Sequence, residues 1–316
     1  MDWYIVLPIV VASVLFLILL LSFVCFLLTF YSRKRKPLKD DEFVLIPGKI
    51  YEEFHPQMLS WMKENRARVK EIIKIKSFDG LILYGEYYEC KKGAPVEILF
   101  NGYRGDPERD MSGAVERCFA LNHNVILACQ RACGKSEGSV VTFGVKESRD
   151  CLTWIDYAIK KFGEEVNIII GGVSMGGSTV LMTASKNLPQ NVKYVLCDCG
   201  FSSQKDIIKK VIKQLHLPAF VFYPFIKLGA KIFGGFNLEE NPPIESVKKI
   251  KIPTIFFHGD TDDFVPFYMA EDLFEACGAP KKFMRVSGAG HGLAYLKEKE
   301  NYVNFISQFE KENNIY

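Results

Sequence analysis

The sequence predicts an α/β domain on a mainly parallel central sheet with helices on both faces, tethered by an N-terminal transmembrane helix. Three observations carry this. A charge-free apolar run opens the chain, a hairpin pattern gives way to repeated strand–helix alternation, and a glycine-rich turn surrounds a serine where an apolar strand ends. At 316 residues, 48% of them hydrophobic, the chain has enough apolar surface for one large domain or two small ones. A net charge of +3, with no basic stripe interleaved with aromatics, argues against a nucleic-acid partner. No zinc-finger spacing and no repeat of solenoid or propeller period is present.

From Trp3 to Ser32 there is no charged residue. About 20 apolar residues at 1.5 Å each span the hydrocarbon core. A cleaved signal peptide has a basic start and a shorter apolar stretch, whereas this chain begins "MDWY". Residues 3–32 are therefore expected to form a retained transmembrane helix, with Trp3, Tyr4 and Tyr31 as interfacial aromatics. Arg33, Lys34, Arg35 and Lys36 follow it directly and nothing basic precedes it. The positive-inside rule then predicts a single-pass protein of the cell membrane with its bulk in the cytoplasm. The nine cysteines, odd in number and irregularly spaced, suggest no disulfide framework. Cys197-x-Cys199 lacks the second Cys/His pair of a zinc site, so no metal and no cofactor is expected.

A basic juxtamembrane linker is expected over 33–55 and the globular domain over 56–316. "PQMLSWMKENRARVKEI" reads as a helix with Pro56 in its first turn. "EIIKIKS" and "LILYGEYYEC" read as strands joined at Asp79-Gly80, and "VEILF" as a third strand. Alternation follows: strand "NVILACQ", a helix closed by Gly163, strand "VNIIIGG", helix "MGGSTVLMTASKNL" and strand "VKYVLCDCG". It resumes with strand "IPTIFFHGD", helix "VPFYMAEDLFEAC", strand "KFMRVSGAG" and helix "YVNFISQFEKE". Residues 200–251 interrupt it, helical and aromatic-rich, and read as a lid over the strands' carboxyl edge. Phe220, Phe222, Tyr223, Phe225, Phe233 and Phe236 are expected to line its inner face or dip toward the membrane.

The turn "GGVSMGG" allows three readings. A phosphate loop needs G-x-x-x-x-G-K, and counted from Gly171 the lysine position holds Gly177. Close helix–strand packing would need the glycines but not the serine. Gly172-Val173-Ser174-Met175-Gly176 matches G-x-S-x-G between strand and helix, the context of a nucleophile elbow. There Ser174 Oγ stands clear of the strand end and the Met175 N–H faces a developing oxyanion. A serine hydroxyl also needs a histidine to take its proton and a carboxylate to orient that histidine. In such elbows the acid and then the histidine follow the serine. His216 falls in the lid. His258 ends a strand in "HGDTDDFVP" and is expected to shape the turn. His291, in the loop "SGAGHGLAY", is the candidate base. Asp260, Asp262, Asp263 and Asp198 are all open as the acid on spacing alone.

Taken together, these residues resemble the α/β-hydrolase superfamily, specifically its prolyl-oligopeptidase-like and serine-aminopeptidase-like bacterial members, over roughly residues 70–312. In those relatives an H-G-x-x-D-x-x-V-P loop carries the acid at its fifth position, which implies Asp262 here. The loop "NGYRG" is similar to the family's H-G-Y-R-G, which implies the backbone N–H of Tyr103 as second oxyanion donor beside Met175. Two positions depart from the pattern: Asn101 and Cys133 stand where histidines are usual.

The resulting expectation is a membrane-anchored serine hydrolase acting on a small-molecule or lipid acyl substrate (carboxylester, lipid ester or thioester) through Ser174, His291 and Asp262. A serine peptidase or aminopeptidase is the neighbouring alternative. A non-catalytic binding module on the same scaffold is a third, from a different class.

Overall fold

The computed structural model describes residues 2–33, 39 and 41–315. Lys34, Arg35 and Lys36 of the basic cluster lie outside the described residues. Eight strands form one sheet: β1 (Glu71–Lys76), β2 (Ile82–Tyr88), β3 (Val96–Phe100), β4 (Asn124–Ala128), β5 (Ile168–Val173), β6 (Val192–Asp198), β7 (Thr254–Gly259) and β8 (Lys281–Val286). Their spatial order is β1-β2-β4-β3-β5-β6-β7-β8. β2 runs antiparallel to both β1 and β4, and every other pairing is parallel.

Three helices precede the sheet: α1 (Trp3–Thr29), α2 (Lys49–Glu52) and α3 (His55–Ala67). α4 (Pro107–Asp110) and α5 (Ser112–Ala120) connect β3 to β4, α6 (Glu147–Phe162) leads to β5, and α7 (Met175–Ala184) leads to β6. α8 (Gln204–Gln214), α9 (Ala219–Ile232) and α10 (Pro243–Val247) fill the gap before β7. α11 (Phe267–Ala276) precedes β8, and α12 (Ala294–Lys297) and α13 (Lys299–Glu312) end the chain.

Side chains alternate along a strand, so both faces of the central strands must be covered. Ile98, Ile168, Ile170 and Phe256 pack under Trp154 and Ile155 of α6, Leu181 of α7 and Leu273 of α11. Their neighbours Ile169, Ile255 and Phe257 face the other way, onto Trp61 of α3 and Tyr302, Ile306 and Phe309 of α13. On that side Leu99 and Val125 meet Val115 and Cys118 of α5. An ion pair is buried there: Glu97 on β3 accepts from both terminal guanidinium nitrogens of Arg117 on α5. Burial pushes the Glu97 carboxyl up, but the Arg117 charge outweighs it and holds the group at about 2. Removing Arg117 would leave an uncompensated interior carboxylate, at a cost of about 3–5 kcal/mol.

The structure departs from the sequence expectations at four places. The α3 region was expected to stay helical to Ile72, but the helix stops at Ala67 and Arg68 turns extended (ψ 144°), releasing Glu71 into β1. α5 was not anticipated; Gly113 and the β-branched Val115 weaken its local signal, and burial against β3 and β4 stabilises it. The expected linker is not wholly a spacer, because Tyr51 of α2 donates its hydroxyl to the His291 carbonyl at 3.0 Å. α1 ends at Thr29, and Tyr31 pairs with Val140 as an isolated bridge.

α1 is exposed along most of its length and is long and apolar enough to cross a membrane. Its last two turns are different: Ser22, Cys25, Phe26 and Phe30 are buried against α9 and the segment after it. A Cβ on Gly229 would stand 2.5 Å from the Ser22 carbonyl oxygen, so only glycine permits this approach. The Phe233 ring lies 5.0 Å from Phe23 and 5.9 Å from Phe26, and Phe236 lies 5.2 Å from Phe30. The 200–251 insertion thus packs its aromatics on α1. Of its aromatics Tyr223 and Phe236 are buried, whereas Phe220 is 81% exposed.

Candidate active site

The site begins with a backbone that few residues tolerate. β5 ends at Val173, α7 starts at Met175, and Ser174 between them holds φ 57°, ψ −121°. Such a conformation costs on the order of 1–3 kcal/mol and persists only where surrounding structure enforces it. Here the enforcement is direct. A Cβ on Gly172 would stand 2.3 Å from the Gly176 carbonyl carbon, and one on Gly176 would stand 2.0 Å from the Phe100 oxygen. The Ser174 N–H donates to the Asp198 carbonyl at 2.8 Å, fixing the turn to β6.

The loop after β7 supplies the acid. Asp262 Oδ1 accepts from the backbone N–H groups of Phe264 (2.9 Å) and Val265 (2.8 Å). Its Oδ2 accepts from His291 Nδ1 at 2.7 Å. His258 Nε2 lies 2.8 Å from the Val265 carbonyl, which only accepts, so this nitrogen carries the hydrogen; it also stands 3.2 Å from Asp262 Oδ2. Burial alone would raise the Asp262 carboxyl, yet hydrogen bonds from His258 and His291 hold it well below its ordinary value. Asp262 is therefore ionised at neutral pH although its side chain is fully buried.

His291 sits in the loop between β8 and α12. With Nδ1 on Asp262, its Nε2 stands 3.0 Å from Ser174 Oγ. Phe264 covers the ring at 5.0 Å. Ser174, Asp262 and His291 are thus one hydrogen-bonded chain assembled from the ends of β5, β7 and β8.

The carboxylates of Asp260 and Asp198 are engaged elsewhere, whereas Asp263 is held through its backbone. Asp260 accepts from Arg285 Nε (3.0 Å) and the Gly288 N–H (2.6 Å), bracing the His291 loop from outside. Asp198 accepts from the Tyr302 hydroxyl at 2.9 Å and is pushed up by burial. Lys210 of α8 caps the Asp263 carbonyl.

The loop after β3 lies across the serine: a Cβ on Gly102 would be 3.8 Å from Ser174 Oγ. The Tyr103 N–H follows on this loop, and Met175 is the first residue of α7, where helical N–H groups have no partner within the helix. The two departures from the family pattern touch each other. Asn101 Nδ2 lies 3.4 Å from Cys133 Sγ, and that thiol donates to the Gly105 carbonyl at 3.1 Å. Burial pushes Cys133 up to about 12, so it serves as a brace and not as a nucleophile.

Three contacts around the site were not foreseen, although the loop of Tyr103 and Arg104 was itself expected beside the serine, with Arg104 bracing it. The Tyr103 hydroxyl donates to the Thr29 carbonyl at 2.6 Å, and the Arg104 guanidinium reaches the carbonyls of Leu27 (3.4 Å) and Tyr31. Both residues cap carbonyls that a helix C-terminus leaves unpaired, so the loop over Ser174 is fastened to α1. Cys199 is the third. Among the described residues its Sγ forms, with Asp262 and His291, a cluster whose donor atoms lie within 4.8 Å of one another. Burial raises the Cys199 thiol well above its ordinary value, and Asp262 and His291 are engaged with each other, so the set is poorly suited to a cation. The sequence motifs mark these residues but not their contacts, because each contact joins segments far apart in the chain.

A family model, Peptidase_S9, the prolyl oligopeptidase family, matches residues 142–314, more than half of the sequence and including Ser174, Asp262 and His291. The chain belongs to the prolyl oligopeptidase family. The match leaves out α1 and the Tyr103 loop. Protein YqkD of Bacillus subtilis (strain 168) is 26% identical over 190 residues, 60% of this chain and 62% of that protein, so the chain spans less than two thirds of that relative. Protein bem46 of Schizosaccharomyces pombe is 28% identical over 257 residues, 80% of this chain and 79% of that one. Among solved structures, the Pyrococcus furiosus esterase Pf2001 superposes with a TM-score of 0.66 at 19% identity, covering 90% of this chain and 98% of the esterase. At that identity the likeness speaks for the α/β-hydrolase fold.

Proposed function

We propose that this chain is a serine hydrolase, anchored in the cell membrane by α1 with its catalytic domain on the cytoplasmic side, that cleaves an acyl ester through an acyl-enzyme. The observation that carries the reading is the Ser174–His291–Asp262 chain, 3.0 Å and 2.7 Å between heavy atoms, hung on a strained strand–helix turn.

Ser174 Oγ attacks the acyl carbonyl while its proton passes to His291 Nε2. Asp262, ionised and held by two backbone N–H groups, stabilises the imidazolium and keeps the hydrogen on Nδ1. Backbone N–H groups of Met175 and Tyr103 receive the oxyanion. His291 then protonates the leaving group, and an incoming water, deprotonated by the same nitrogen, releases the acyl group. Tyr103, on the loop across the serine, and Met175, the residue after it, belong with Phe143 and Phe201 to an apolar cluster, which supports an acyl chain over a charged substituent. The cytoplasmic placement rests on Arg33 and the basic residues after it.

The family match supports a second reading, a serine peptidase, in which the same serine attacks an amide. Labelling with a fluorophosphonate probe, with Ser174→Ala as control, tests the nucleophile. Esters of increasing acyl length run beside aminoacyl amides separate the two substrates. Turnover of amides with no turnover of any ester would overturn the ester assignment.

A further inference from the structure

α1 and α9 pack side by side. Gly229 of α9 meets Ser22 and Phe26; past the helix end Phe233 meets Phe23 and Phe26, and Phe236 meets Phe30, so the contacts move toward the end of α1 as the chain runs through and beyond α9. The consequence concerns depth. α1 has 27 residues, hence a length of about 40 Å at 1.5 Å per residue, against about 30 Å of hydrocarbon. With Trp3 and Tyr4 at the outer interface, the last two turns of α1 leave the hydrocarbon on the far side. Ser22 and Phe26 then mark that boundary, and the part of α9 before Gly229 extends back from it toward the bilayer. Phe220 lies two turns and more before Gly229, on the order of 10 Å deeper along the axis.

The residues at that end have the chemistry the depth requires. Leu215 (64% exposed), Leu217, Phe220 (81%) and Val221 present apolar side chains to no protein partner that buries them. Lys213 precedes the tip and is exposed, with a stem long enough to carry its charge to the headgroups, while Lys227 after it pairs with Glu239 at 2.7 Å.

We infer that the α8–α9 tip, Leu215 to Val221, is inserted in the cytoplasmic leaflet beside α1, so that the occupant of this apolar face is lipid acyl chain. The anchor and the lid form one helix pair, half in lipid. The apolar cluster that includes α9 extends to Met175, the residue after Ser174. The inference rests on the membrane-anchor reading and not on the triad.

The test uses the full chain in vesicles of phosphatidylcholine and phosphatidylglycerol whose acyl chains carry bromine near mid-depth. Tryptophan emission is compared in four variants: Phe220→Trp and Leu217→Trp at the tip, Leu17→Trp on α1, and Val69→Trp, at a position 95% exposed on the domain. The tip and α1 variants are expected to lose about half of their added emission to the bromolipid, and the Val69→Trp variant none. Quenching of Leu17→Trp with none at either tip position overturns the inference while the anchor stands. No quenching of Leu17→Trp removes the anchor, and the inference with it. The readout needs no turnover, so neither result depends on the hydrolase assignment.

Discussion

Ser174 holds φ 57° because Gly172 and Gly176 leave no room for a Cβ on either side of it, and this strain positions Oγ toward His291. Gly176→Ala, with its new carbon 2.0 Å from the Phe100 oxygen, is expected to lose about 3 kcal/mol of stability in denaturant titration and its probe labelling with it. Asp262→Asn should keep the geometry but favour the wrong imidazole tautomer, lowering kcat on the order of 10⁴-fold. Its stability effect has a defined sign. The native carboxyl titrates below the unfolded value near 3.9, so its contribution is complete above about pH 5 and is lost as pH falls through the depressed native value. The Tm gap between wild type and Asp262→Asn should stay constant from neutral pH to about pH 5 and narrow below about pH 4.

Elements differed in how far the sequence disclosed them. β5 and α7 were legible because an apolar run meets G-x-S-x-G, and His291 because its glycine-flanked loop follows the last strand pattern. α5 was not, since its helicity comes from burying Val115 and Cys118 on β3 and β4 and not from propensity. Among the carboxylates, Asp262 was separable from Asp260 and Asp198 only by resemblance; the structure shows why in the partners each accepts from. The bond between the Tyr103 hydroxyl and Thr29 was invisible, for it spans 74 positions. It carries a prediction of its own. Tyr103→Phe keeps the backbone N–H and the ring but frees the loop from α1, and should lower kcat about tenfold with KM for a short ester little changed. An unaltered kcat would mean that α1 does not position the oxyanion loop.

At the scale of the whole molecule, α1 does more than extend from the domain. Its last carbonyls hold the Tyr103 loop, its last two turns pack on α9 and, through Phe30 and Phe143, it reaches the ring of Tyr103 at 5.0 Å from Phe143. A chain cut after residue 32 would uncover Phe143, Phe236 and Gly229 together, and is expected to aggregate without detergent. Hydrolysis by this chain requires that Ser174 be a nucleophile activated by His291. The most direct measurement of this is the second-order rate of fluorophosphonate labelling of the full chain, with Ser174→Ala and His291→Ala beside it. Labelling that maps to Ser174, disappears in Ser174→Ala and slows at least about 10³-fold in His291→Ala is the predicted result. A wild-type protein that is folded yet neither labels nor turns over any activated ester would contradict it.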